Sequence, residues 1–231
     1  MNIRALYTSI LTVAFLMCHI PIASAATFNV AGVRLTKDVK PLREIKRSNV
    51  ISQSLDFSCG AAGLSTLLNF YLNDEVSEQE IIETLLTVVP IEKVRQRKGF
   101  SLFDLKTFAE NRGYKVTGYQ MDFEFLKNLD APVLVPIHFR NYSHFVVVRG
   151  VVGDRVFIAD PAAGNMSMKI DQFERVWAGG IGLVVEHQSP DRDQRYALQI
   201  EEDDLLVADY KHLNKIMNQM MVRTAVFPSE Y

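Results

Sequence analysis

The second half of this 231-residue sequence contains two apolar segments joined by a tight turn, and this pair constrains the fold most strongly. Residues 144–150 (HFVVVRG) and 155–159 (RVFIA) are rich in β-branched and aromatic residues and lie on either side of Gly153-Asp154. This pattern is typical of two antiparallel strands in a hairpin. We therefore predict that the far ends of the two strands, His144 and Asp160, lie side by side.

Apolar residues at helical spacing dominate the first half of the chain. The pattern predicts one helix from Cys59 to about residue 72, a second from a capping box at Ser77 and Glu80 to about residue 88, and a third over residues 101–113. Residues 92–98 lie between the second and third helices and are predicted to form a charged loop.

The remaining elements are mainly strands. The pattern predicts strands over residues 114–119, 132–138 and 181–185, short helices over residues 122–129 and 170–177, and a turn at Asn165. Helices that precede an antiparallel sheet in the chain indicate an α+β fold.

The N-terminus has the pattern of an export signal. Arg4 precedes the apolar residues 10–17, which are too few to span a membrane, and Ala23-Ser24-Ala25 resembles a signal-peptidase site. We predict cleavage after Ala25 and export to the periplasm. The alternative is an uncleaved signal anchor, which would be the chain's attachment to the membrane. Residues 27–35 are then predicted to form one strand.

Cleavage would change both the charge and the cysteine content. Removal of 25 residues leaves 206 and changes the formal charge from −2 to −3, because the segment contains one basic and no acidic residue. This charge gives no electrostatic basis for binding nucleic acid. Cys18 would be lost, so Cys59 could form no internal disulfide. Cys59 would then be a buried small hydrophobe, an intermolecular link or a reactive thiol.

Four residues, in the order Gln53, Cys59, His144 and Asp160, provide the groups that a reactive thiol needs. A paired imidazolium can lower a cysteine pKa from about 8.5 to roughly 3.5–7.5, and a helix N-terminus also stabilises the thiolate. The histidine needs an acceptor for its other N–H, and a glutamine amide can help to bind an oxyanion. His138 is the rival base, since it lies across a predicted turn, residues 139–143, from His144.

The motifs around these residues resemble a known family. They are Q-x5-C-G-A-A, G-F-S-L-F-D-L-K-T-F-A-E-N-R-G-Y, H-F-V-V-V and A-D-P-A-A-G, within about residues 50–187. In order and spacing they are similar to the papain-like cysteine peptidases that process bacteriocins, which usually precede an ABC exporter and remove double-glycine leader peptides. A stand-alone exported form is similar to the peptidase of the Fap functional-amyloid secretion system. The resemblance implies a papain-like fold in which N-terminal helices, with the nucleophile at a helix start, pack on an antiparallel sheet.

The resemblance also implies a role for each of the four residues. By position, Cys59 would be the nucleophile, His144 the general base, Asp160 the acid that orients the base, and Gln53 the oxyanion donor. Gly60, which follows the nucleophile, would let the substrate backbone approach.

Two positions depart from the family pattern. Ser58 stands where the family usually has Asp, and Gly63 stands where it often has a second cysteine. The first change would alter the electrostatics at the helix start, and the second suits an oxidising compartment. Nothing in the sequence resembles a P-loop.

The predicted organisation has five parts. They are a signal peptide (1–25), an N-terminal extension (26–48), a papain-like peptidase domain (49–187), a linker (188–204) and a C-terminal amphipathic helix with a tail (205–231). The helix would either pack on the domain or bind a component of secretion or amyloid assembly.

These patterns predict a periplasmic cysteine endopeptidase that cleaves an exported peptide or protein, after small residues such as Gly-Gly, during secretion or assembly of an extracellular product. One alternative is a module that uses the peptidase groove to hold an exported partner without cutting it. Another is a different papain-like chemistry, such as cell-wall amide hydrolysis or acyl transfer. No cofactor is expected, and one cysteine with scattered histidines is not the pattern of a zinc site.

Overall fold

The computed structural model describes residues 25–30, 33–38, 41–139, 142–188, 196–201 and 204–205. The chain divides into two compact units, Met1–Pro41 and Leu42–Tyr231. In the first unit, β1 (Ala25–Val30) pairs antiparallel with β2 (Val33–Asp38). The prediction of one strand over residues 27–35 was therefore wrong: the alternating pattern crosses Gly32 and divides into two paired strands. Most of the predicted signal sequence lies outside the described residues.

The second unit contains the helices and the main sheet. Its helices are α1 (Leu42–Arg47), α2 (Cys59–Phe70), α3 (Glu78–Leu86), α4 (Ile91–Arg97), α5 (Leu102–Asn111), α6 (Phe123–Lys127) and α7 (Ile170–Val176). Its strands are β3 (Lys115–Gln120), β4 (Val133–Phe139), β5 (Tyr142–Val152), β6 (Arg155–Asp160), β7 (Gly164–Lys169) and β8 (Ile181–Glu186). This arrangement of helices and sheet confirms the predicted α+β class.

The strands of the second unit form a sheet in the order β3-β8-β4-β5-β6-β7, in which all neighbours are antiparallel. The hairpin of β5 and β6 closes as predicted: Val152 pairs with Arg155, and Gly153 takes a φ of 59° in the two-residue turn. The register shifts between Val148 and Gly150. The intervening Arg149 is therefore the extra residue of a β-bulge.

Each face of the sheet has its own apolar core. On one face, α2, α3 and α5 cover residues such as Leu134 and Val147 with fully buried leucines, among them Leu64 and Leu105. On the other face, Phe173 of α7 packs on a cluster of valines and isoleucines from the central strands. Burial on both faces explains why the central strands are almost continuously apolar.

Side chains cap the starts of helices α3 and α5. At Ser101 and Asp104 the capping box is complete, because each side chain bonds the backbone N–H of the other. At Ser77 the hydroxyl accepts the Glu80 N–H at 3.0 Å, but the Glu80 carboxylate accepts a bond from Arg112. Of the two hydrogen bonds that define a capping box, the α3 start therefore shows only the one to the Ser77 hydroxyl.

Three short elements differ from the sequence predictions. Residues 91–97 form helix α4 rather than a charged loop, because Val94 on one face is buried and Lys98 ends the helix with a φ of 59°. Asn165 lies in strand β7 rather than in a turn. Strands β4 and β5 extend into the predicted turn over residues 139–143, where Phe139 pairs with Tyr142.

Part of the segment predicted to be a linker packs on the second unit. Leu198 is fully buried, and the ring of Tyr196 lies edge-on to the ring of Tyr71 with centroids 4.7 Å apart. The predicted C-terminal helix lies outside the described residues, apart from its first residue, Leu205.

The described residues contain neither a candidate membrane span nor a candidate metal site. Within the described ranges no helix combines the length and apolar character needed to cross a membrane. Among the same residues, no group of three or more His, Cys, Asp or Glu side chains is arranged to hold a metal ion.

Candidate active site

Cys59 is the first residue of α2 and is only 4% exposed. Ser58 precedes it and is fully buried; its hydroxyl accepts the Leu55 N–H at 3.0 Å and donates to the Leu55 carbonyl at 2.8 Å. The first turn of α2 contains no acidic residue. The positive end of the helix dipole therefore acts on the sulfur without a competing side-chain carboxylate from that turn, which favours an anion at this position.

His144 is the buried histidine of the site. It lies in β5, is 6% exposed, and its Nε2 is 2.8 Å from Oδ1 of Asp160. Its other close partner is Cys59, whose side chain also raises the pKa of the imidazole. Because Asp160 occupies Nε2, Nδ1 is the ring nitrogen that faces the thiol. The imidazole thus connects the carboxylate to the sulfur.

The protonation of His144 follows from these contacts. Burial alone would lower the pKa of His144, but the hydrogen bonds with Asp160 and Cys59 and the negative charges of both partners raise it to about 9. Burial opposes ionisation of Asp160 as well, yet bonds from His144 and from two backbone N–H groups lower the pKa of this carboxyl. At neutral pH the pair is therefore an imidazolium and a carboxylate.

Asp160 is fixed at the end of β6 by the turn that follows it. Its Oδ1 accepts the N–H groups of Ala162 and Ala163 at 2.7 and 3.1 Å, in addition to the bond from His144. These local bonds set the rotamer of the carboxylate, as Asx turns do. The β5–β6 hairpin then places that carboxylate beside His144, as the sequence predicts.

Gln53 joins this group from the segment before α2. Its backbone N–H donates to the Pro161 carbonyl at 3.0 Å, and its Nε2 donates to the Leu55 carbonyl at 3.0 Å. The first bond places Gln53 next to Asp160. The second joins its side-chain amide to Leu55, which also forms hydrogen bonds with the Ser58 hydroxyl. An amide nitrogen has two protons, so one proton of Nε2 remains to bind an oxyanion.

The rival base, His138, does not take part in this arrangement. Its side chain is exposed, and its Nδ1 lies 3.0 Å from the Ser143 hydroxyl. The structure therefore brings together the four residues that the sequence indicated and leaves His138 at the surface.

Comparisons with known proteins agree with this geometry. The model of the Peptidase C39 family matches residues 47–189. The chain is 35% identical over 154 residues to a probable functional amyloid protease FapD of Pseudomonas aeruginosa, and 36% identical over 154 residues to one of Pseudomonas fluorescens. Each match covers 67% of this chain and 68% of the relative. The peptidase domain of Streptococcus ComA has a similar fold, with a TM-score of 0.52 and 19% identity over 60% of this chain and 98% of the domain.

The chain belongs to the Peptidase C39 family. It is a cysteine peptidase, homologous to FapD and to the double-glycine bacteriocin-processing peptidase domains, and its fold is papain-like. The family and the fold that the sequence motifs indicated are both confirmed.

Two glycines of α2, the helix that begins at Cys59, allow close packing in this C39 peptidase. A Cβ on Gly60 would lie 2.9 Å from Leu105 Cδ1 and 3.1 Å from Phe145 Cδ2, and one on Gly63 would lie 2.7 Å from Leu134 Cδ1. On its side-chain side Gly60 therefore packs against helix α5 and the sheet, whereas the approach of the substrate backbone at this residue stays a prediction. Gly63 likewise serves the contact between helix and sheet.

Arg149, at the bulge of β5, is a structural residue that sequence reasoning missed. It is 7% exposed and donates to Asp204 at 2.7 and 2.8 Å, to the carbonyls of Leu198 and Gln199, and to Asn165. Asn165 in turn donates to the Ser48 carbonyl at 2.7 Å. These bonds hold the segment after the peptidase domain and the segment that leads to Gln53. The signal in the sequence was a charged residue within an apolar strand.

Proposed function

We propose that this chain is an exported, periplasmic cysteine endopeptidase whose catalytic residues are Cys59, His144, Asp160 and Gln53. The observation that carries the proposal is the buried His144, which bonds Asp160 through Nε2 and faces the thiol of Cys59 with its other nitrogen. A histidine held by a carboxylate in this way has one ring nitrogen left for proton transfer with the nucleophile.

The first half of the reaction forms a thioester. The sulfur of Cys59, paired with the imidazolium of His144, attacks the scissile carbonyl carbon. The backbone N–H of Cys59, which has no partner within the helix, and Nε2 of Gln53 bind the negative oxygen that develops. His144 then donates its Nδ1 proton to the leaving amine, the C–N bond breaks, and the acyl group remains on Cys59.

The second half releases the product. His144 is now neutral and takes a proton from a water molecule that attacks the thioester carbonyl. The same two donors bind the oxyanion, and the C–S bond breaks to release a carboxylic acid. Asp160 remains a carboxylate throughout, because its role is to orient the imidazole and stabilise its positive charge.

Burial of the nucleophile supports a preference for small residues at the cleavage site. Cys59 is 4% exposed, and its neighbours Ser58 and Gly60 are buried as well. A substrate must bring its backbone to the sulfur in this confined space, which side chains beside the scissile bond would obstruct. We therefore propose cleavage after a Gly-Gly pair, in agreement with the motifs that resemble leader-processing peptidases.

The biological setting is proposed from the relatives and the N-terminus. The two FapD proteins are described as probable functional amyloid proteases. Together with the export pattern of the first 25 residues, this supports a peptidase that acts on an exported polypeptide during secretion or assembly of an extracellular product, such as an amyloid.

The test uses purified protein and two synthetic peptides that differ at one site. One peptide contains Gly-Gly and the other Val-Val at the same position, and mass spectrometry identifies any new termini. Wild-type protein should cut the first after the second glycine and leave the second intact. Cys59→Ala should abolish cleavage while circular dichroism stays unchanged, whereas His138→Ala, at the exposed rival base, should retain it. Binding of the Gly-Gly peptide with unchanged termini would instead identify a non-cleaving module.

A further inference from the structure

The segment that carries Gln53 has no regular secondary structure. It lies between α1 and α2, so no helix or strand ladder fixes its backbone. Its conformation depends on individual hydrogen bonds. Gln53 N–H donates to the Pro161 carbonyl, and Leu55 N–H donates to the Ser58 hydroxyl. The amide between them, that of Ser54, donates to a residue from a different element.

That residue is Glu78, the first residue of α3. Its two carboxylate oxygens lie 3.0 and 3.1 Å from the Ser54 nitrogen, and the residue is only 7% exposed. Burying a carboxylate is unfavourable unless the charge is hydrogen-bonded, and an N–H bonded to a carboxylate is stronger than one bonded to a neutral oxygen. The described hydrogen bonds of this buried acid come from one backbone amide, so Glu78 fixes the position of that amide. We call the pair of bonds from Ser54 N–H to the Glu78 carboxylate the tether.

The tether controls one of the two peptide planes around Gln53. The Ser54 N–H belongs to the planar unit that begins at the Cα of Gln53, and the Gln53 N–H belongs to the unit before it. Pro161 holds the first plane from the sheet, and Glu78 holds the second from α3. With both planes fixed, the Cα–Cβ direction of Gln53 is fixed, and so is the position from which its amide reaches the substrate oxygen.

We propose that Glu78 is a positioning residue for the oxyanion site, acting through the Ser54 amide on Gln53. The inference rests on the proposed role of Gln53 in the peptidase reaction. The described hydrogen bonds of Glu78 go to the Ser54 amide, so this residue controls how well the tetrahedral intermediate is bound rather than how reactive the sulfur is. Misplacement of a catalytic group by about 1 Å can cost roughly 10²-fold in rate.

The experiment compares full-length wild type and variants in turnover, in binding of a tetrahedral adduct and in thiol reactivity. Turnover is followed with a fluorogenic Gly-Gly amide, binding of a tetrahedral adduct with a peptide aldehyde that ends in glycinal, and thiol reactivity by iodoacetamide alkylation mapped to Cys59. The variants are Glu78→Ala, Glu78→Asp, which shortens the tether, and Glu78→Gln, which keeps an oxygen acceptor. Glu83→Ala, on the exposed side of the same helix, is the matched control.

We expect Glu78→Ala to lower kcat by roughly 10- to 100-fold, less than the ~10²–10³-fold expected for direct loss of an oxyanion donor. KM should change little, aldehyde affinity should fall in parallel with kcat/KM, and alkylation of Cys59 should match wild type across pH. Glu78→Gln should restore most of the activity. If Glu78→Ala does not fold, Glu78→Asp should show the same pattern with a several-fold loss.

Three results would overturn the inference while leaving the proposed function intact: wild-type turnover in Glu78→Ala, an alkylation rate that falls in proportion to kcat, or no rescue by Glu78→Gln. The second result would identify a general structural role. A wild-type protein that is alkylated at Cys59 but neither cleaves the amide nor binds the aldehyde would overturn the proposed function and this inference with it.

Discussion

Replacing Asp160 with asparagine separates the charge of the carboxylate from its hydrogen bonds. The described bonds to this side chain, from His144 and from the N–H groups of Ala162 and Ala163, all end on Oδ1. An asparagine carbonyl can accept the same three bonds. The variant therefore removes the negative charge beside the imidazole and leaves the fold of the turn in place.

The charge of the carboxylate determines up to which pH His144 stays protonated. With the pKa of His144 at about 9, wild-type activity should decline on the alkaline side near pH 9. A carboxylate at this distance shifts a neighbouring pKa by about 1–3 units, which is roughly 1.4–4 kcal/mol in favour of the imidazolium. In Asp160→Asn the alkaline limb should therefore move to lower pH by about 1–3 units. A two-unit shift would leave about a tenth of the imidazolium at pH 8, and activity would fall about tenfold there.

The assay is the pH dependence of kcat/KM between pH 5 and 10, with cleavage of the Gly-Gly peptide. Asp154→Asn is the control, because Asp154 is exposed at the turn of the same hairpin and should leave the profile unchanged. An alkaline limb that stays near pH 9 in Asp160→Asn would refute the reasoning, because the carboxylate would then not be what keeps His144 protonated.

Two further predictions concern stability. Arg149→Met leaves the Asp204 side chain, which is only 11% exposed, without its cation and should lower the free energy of unfolding by about 3 kcal/mol. Arg175→Met, at an exposed pair with Asp171, should cost at most about 1 kcal/mol. Equal losses in urea titrations would contradict the structural role given to Arg149. Because folding lowers the pKa of Asp160, this group stabilises the native state above its ordinary value near 3.8, and the contribution is lost as pH falls below that value. Urea unfolding at pH 5 and pH 3 should show a smaller acid destabilisation in Asp160→Asn than in wild type, and an identical loss would contradict the assigned shift.

Features that depend on neighbours in the chain could be read from the sequence. Gly153-Asp154 predicted the turn that brings His144 and Asp160 together, and the capping signal at Ser77 predicted the start of helix α3. Each depends on local backbone geometry, which short motifs encode directly. The candidate site was predictable for this reason, since its geometry follows from one hairpin and one helix start.

Features that depend on distant partners could not be read in this way. Nothing in the sequence distinguishes Glu78 from other acidic residues in the first turn of a helix, because its partner Ser54 lies 24 residues earlier. Strand β7 (GNMSMK) has few β-branched residues and exists because it pairs with β6. The charges of residues 92–98 led to the prediction of a loop, whereas burial of Val94 favours helix α4. In these cases tertiary packing overrides local propensity.

The central claim is that His144 activates Cys59, and the rate of thiol alkylation tests it most directly. Purified wild type and His144→Ala are treated with iodoacetamide at pH 7, and labelling of Cys59 is followed by peptide mass spectrometry, with circular dichroism to confirm the fold. The imidazolium stabilises the thiolate, which is the reactive form. We therefore expect alkylation of Cys59 to be at least about tenfold slower in His144→Ala. Equal rates in the two proteins would contradict the account, because the thiol would then react without the histidine.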